Sequence, residues 1–156
     1  MSLGQSRQRT TTKRTTPKTQ TSSRPNEART SGATRIADQI KNLTRFIYLL
    51  GGVAKSIEAA DAAASAGDAT PTQIEQTTRS KTTVKTSLAN VREGLDKLEI
   101  DFRSTPELQR YYISLAGVAA GASAAEDNAS AGRYDQAGRA LLNVVNRLTD
   151  VLLEMR

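Results

Sequence analysis

From Ile36 onward the large apolar residues of this chain return at alternating steps of four and three. Ile36, Ile40, Leu43, Ile47, Leu50, Ala54 and Ile57 make the first such series. A step averaging about 3.5 places them along one side of an α-helix that lies nearly parallel to its neighbours, as in a coiled coil. The series predicts a helix from Ala33 to Ala66 that stops at Gly67. Gly51 and Gly52 fall in its middle, where each weakens a helix by about 1 kcal/mol relative to Ala. The pair marks a kink or a close helix crossing.

Three further helices are expected. Thr70 has the side chain of an N-cap, Pro71 suits the first helical position, and Gln73 completes a capping-box pattern. The stripe that follows is Ile74, Val84, Leu88, Val91, Leu95, Leu98 and Phe102, with many threonines weakening its first half. Ser104-Thr105-Pro106-Glu107 repeats the start signal for a third helix, carrying Leu108, Tyr111 or Tyr112, Leu115, Val118, Ala122 and Ala125 and ending near Gly132. The fourth helix runs from Tyr134 to Met155 with a wide apolar face, suited to a central or interfacial position.

The first and third helices resemble each other. Leu43 to Gly67 aligns without gaps on Leu108 to Gly132, matching Leu43 to Leu108, Arg45 to Arg110 and Gly52-Val53-Ala54 to Gly117-Val118-Ala119. Both copies end in Ser-Ala-Gly. A weaker likeness links 91–100 with 144–153, so an internal repeat of one helical hairpin is expected. The expected fold is all-α: an antiparallel up-down-up-down four-helix bundle over residues 33–156, built from hairpins 33–102 and 106–155. The first hairpin is the longer, so part of it should extend past the second. Ile36, Ile40 and Ile74 are then candidates for an interface with a second copy or with a helical protein partner. Of Tyr111 and Tyr112, one ring should face the core and the other an interface.

Residues 1–32 belong to none of these stripes. No large apolar residue occurs between Leu3 and Ile36, and Thr, Ser, Gln and basic side chains dominate. Such a segment buries too little surface to offset its ordering entropy and is expected to be a disordered arm. It also concentrates the charge. Arg7, Arg9, Lys13, Arg14, Lys18, Arg24 and Arg29 stand against the single acid Glu27, giving +6, which is the net charge of the whole chain. The rest is balanced. Cations at this spacing follow a phosphate backbone and release its counterions, so nucleic acid or another polyanion is the expected partner of the arm. The arm has no aromatic residue, so base stacking on it is not expected. Hydroxyls beside the cations, such as Thr15, Thr16 and Ser22, are places where phosphorylation would weaken that binding.

Several chemistries have no residues to carry them. The chain has no Cys and no His, which removes disulfides, thiolate ligands, thiol nucleophiles and the usual general base at neutral pH. It has no phosphate-binding or dinucleotide glycine motif, and nothing in it calls for a cofactor or metal. No apolar stretch suits a membrane span or a secretory signal, so a cytoplasmic location is expected. These features favour a non-enzymatic structural or scaffolding protein, self-associating through its helices and holding a polyanion with its arm. The alternative is a protein–protein adaptor whose exposed hairpin stripe docks a partner helix, with the arm as tether or regulatory tail.

Overall fold

A computed structural model of the chain describes residues 23–156, with side chains from Pro25 onward. Among the described residues every regular element is helical. Helix α1 is Ser23–Ser65 and α2 is Pro71–Ser104; a short 3-10 turn, Pro106–Leu108, leads into α3, Gln109–Leu115. Helix α4 is Val118–Ser130 and α5 is Tyr134–Glu154. Helix α1 packs against α2 and α5, while α3 and α4 each pack against both α2 and α5.

The apolar stripes meet in one core. Leu43, Leu88, Leu95, Phe102, Leu115, Ala122, Leu141, Leu148 and Val151 are its fully covered centre, and among the described residues no polar or charged residue is buried. The start of α2 follows its sequence signal: the Gln73 amide donates to Thr70 Oγ1 (3.2 Å), and the Thr70 amide donates to Gln73 Oε1 (3.0 Å). The two Ser-Ala-Gly sequences close their helices in the same way. Gly67 and Gly132 adopt positive φ, and the amides that follow, Asp68 and Arg133, donate back to Ala63 and Asn128 at 2.9 and 2.8 Å. This double closure satisfies carbonyls left open at a helix end.

Three expectations need correction. First, α1 begins at Ser23, well before Ala33, so the expected arm of residues 1–32 includes a helical segment. The reason is a close packing contact: a Cβ on Gly32 would stand 3.1 Å from Leu108 Cδ2 and 3.2 Å from Phe102 Cζ. The absent side chain lets α1 press on the 3-10 turn and the end of α2, and the helix continues back beside Pro106 and Arg110.

Second, the third helix is not continuous. It breaks at Ala116 and Gly117, where Gly117 has φ +99°. The break is held from both sides. Glu99 Oε1 on α2 accepts from the amides of Gly117 (2.9 Å) and Ala119 (3.1 Å), at the first turn of α4. Arg147 Nη1 on α5 donates to the Ala116 carbonyl (2.5 Å), at the end of α3. A carboxylate at a helix start and a guanidinium at a helix end both suit the helix dipole. The equivalent Gly52 stays within continuous α1.

Third, the unequal helix lengths leave a projection at only one end. Ile36 is fully buried, so the end of α1 expected to lack a partner has one in the core. Between Ile57 and Val84 no residue is buried, and this stretch is the tip of the α1–α2 hairpin. Tyr134, at the start of α5, packs level with Asp61, Lys81 and Val84, and the tip continues beyond it.

Candidate functional site

The cations expected to bind a polyanion divide at the edge of the described residues. Arg7, Arg9, Lys13, Arg14 and Lys18 lie outside them, and Arg24 lies in the first turn of α1. Arg29 is half-buried and donates to Asn26 Oδ1 at 3.4 Å. It borders a shallow recess beside Pro106, Glu107 and Arg110.

The five candidate interface residues have separate environments. Ile36 and Tyr111 are buried, Ile40 and Tyr112 are half-buried, and Ile74 is 51 % exposed. Ile74 alone therefore presents a large apolar surface, one turn into α2 on the hairpin tip. Tyr111 is covered by its own neighbour, with the Arg110 guanidinium 4.6 Å from the ring centroid and donating to the Tyr111 hydroxyl. Arg45, which aligns with Arg110 in the sequence, is exposed, as Arg110 is.

Elsewhere, among the described residues, three ion pairs join different helices. Arg35 meets Asp101 at 2.7 Å, Lys81 meets Asp61 at 3.0 Å and Arg92 meets Glu126 at 2.5 Å. These pairs are partly exposed, so each contributes no more than about 1 kcal/mol. The Lys81–Asp61 pair ties the two arms of the hairpin together where α5 begins. Tyr134 sits beneath it, and burial of its ring pushes the hydroxyl pKa up; Asp61 and Glu58 add to that rise and Lys81 opposes it.

Sequence reasoning missed the outward side of α1. Tyr48 is 83 % exposed and Leu49 55 % exposed, beside Gly51 and Gly52. A Cβ on either glycine would meet nothing within 4 Å, so the pair serves no close crossing inside the chain. The signal was available: Lys41, Arg45, Tyr48, Gly52 and Lys55 also step by four and three, on the side opposite the core stripe. Beside this surface, Leu142 of α5 is 51 % exposed and borders a groove with Ile47, Gly51 and Ala54.

Among the described residues no group of three or more Asp or Glu side chains forms a metal-binding cluster, and no helix is long and apolar enough to cross a membrane. The chain matches no protein-family model, no curated protein and no solved structure.

Proposed function

We propose that this chain is a non-enzymatic scaffold that holds nucleic acid with its basic N-terminal segment and associates with copies of itself through its helical body. The observation that carries this reading is the charge division: the first thirty residues hold the entire net charge of +6, and the remainder is neutral. A neutral body supplies shape and contacts, while a cationic segment supplies sequence-independent affinity. In this reading the helices form an antiparallel four-helix bundle from two related hairpins. The matched closures at Gly67 and Gly132 support the relationship.

The test compares the full chain with a full-length variant in which Arg7, Arg9, Lys13, Arg14 and Lys18 are replaced by Gln. Binding to duplex DNA is measured across a salt series. The expected result is a slope of log affinity against log salt that falls by about 4 to 5, from five lost contacts at about 0.9 each. Equal slopes for the two proteins overturn the reading. Sedimentation of the full chain tests self-association, and a strict monomer at high concentration removes that part.

The adaptor reading has its own support in the hairpin tip, which carries exposed Ile74 and buries nothing between Ile57 and Val84. A monomer that binds no nucleic acid and gains thermal stability on adding a partner helix would favour it.

A further inference from the structure

We infer that the outward face of α1 is a second nucleic-acid contact, one that takes a single strand and stacks a base on Tyr48. The inference rests on the scaffold reading and supplies what the N-terminal segment lacks, because that segment has cations but no aromatic ring.

The face is defined by spacing and exposure. Lys41, Arg45, Tyr48, Gly52 and Lys55 lie at steps of four, three, four and three, and all are exposed. At 1.5 Å per residue the row is about 21 Å long, with Tyr48 at its centre. None of the four ion pairs among the described residues uses Lys41, Arg45 or Lys55. The nearest acids on α1 are at the margins. Asp38 stands one turn before Lys41, and Glu58 stands one turn after Lys55; Lys55 and Glu58 both border the α5 groove, with Asp135 and Arg139 across it.

Charge decides between occupants. A second copy docking through this same face would bring its own Lys41, Arg45 and Lys55 against these cations, whereas a phosphate backbone is attracted to all of them. The exposed ring specifies the form of nucleic acid, because an unstacked base presents a π-face that a duplex keeps covered. The open glycines add access. With no Cβ at Gly51 or Gly52, a strand approaches the helix backbone beside the ring without meeting a side chain.

The experiment uses the full chain and a 20-nucleotide oligothymidine, read by fluorescence anisotropy at low salt. Tyr48→Ala is expected to weaken binding about tenfold, within the range found for one base–aromatic contact, and Tyr48→Phe to restore it. The triple variant Lys41→Gln, Arg45→Gln and Lys55→Gln is expected to lower the salt slope by about 2, at about 0.7 per single-strand contact. Duplex binding should be unchanged by Tyr48→Ala. Unaltered oligothymidine binding by both variants overturns this inference and leaves the scaffold reading standing. No binding by the unaltered chain to either form overturns both. Loss of self-association in Tyr48→Ala with unchanged oligothymidine binding assigns the face to a second copy and overturns the inference. Circular dichroism checks that each variant is folded.

Discussion

Gly117 is the residue at which the chain breaks between α3 and α4. Its φ of +99° is costly for any residue with a Cβ, and an added Cβ would also stand 3.0 Å from Arg147 Nη1. Gly117→Ala is therefore expected to destabilise the protein by about 1–3 kcal/mol, seen as a lower denaturation midpoint with an unchanged slope. Gly51→Ala should act in the opposite direction, raising stability by up to about 1 kcal/mol, because the site is helical, exposed and open. Tyr134 gives a pH signature. Burial raises its folded pKa above the unfolded value near 10, so the folded state keeps a proton that the unfolded chain loses. Its contribution is full below about pH 10 and falls away as pH rises through the folded pKa. Thermal unfolding between pH 8 and 11 should show a steeper alkaline loss for the native chain than for Tyr134→Phe.

At the scale of the element, residues that contact their own helix were easier to read than residues that depend on another. The Thr70–Gln73 box and the Ser-Ala-Gly closures use groups within one turn of each other, and their geometry follows from local sequence. The break at Ala116 and Gly117 was not legible in that way. Gly-Val-Ala occurs at 52–54 and again at 117–119, yet only the second occurrence breaks the helix, where Glu99 and Arg147 reach the exposed ends. The early start of α1 has the same origin: Gly32 is a poor helix former whose helical state depends on Leu108 and Phe102. The core stripe of α1 was legible from its period, while the complementary stripe bearing Tyr48 required knowing which side faces outward. The hairpin tip carries the element-scale prediction. Amides from Ala60 to Thr78 should exchange with solvent much faster than those from Leu88 to Phe102, as measured by native-state hydrogen exchange, because no buried side chain anchors them.

For the molecule as a whole, charge and packing are separate. The core buries no charged group among the described residues, and the cations that set the net charge are concentrated in the first thirty residues, at and before the start of α1. Replacing Arg7, Arg9, Lys13, Arg14 and Lys18 by Gln should leave the melting temperature unchanged to within a few degrees, as expected for polar substitutions in a sequence with no large apolar residue between Leu3 and Ile36. A larger drop in a thermal scan would show that the segment takes part in the fold. The same separation explains why composition pointed to a class of partner and left the helical surface silent: a net charge is a sum, and Lys41, Arg45 and Lys55 vanish from it once the acids of other helices are counted.

The hairpin tip has a consequence for how such a protein changes size. Two antiparallel helices that run past the last buried layer form a spacer whose length is independent of the core. Matched insertions or deletions of whole heptads in both arms keep every side chain on its original side. Each heptad alters reach by about 10 Å at 1.5 Å per residue. The distance between the body and anything held at Gly67 is thus adjustable without repacking.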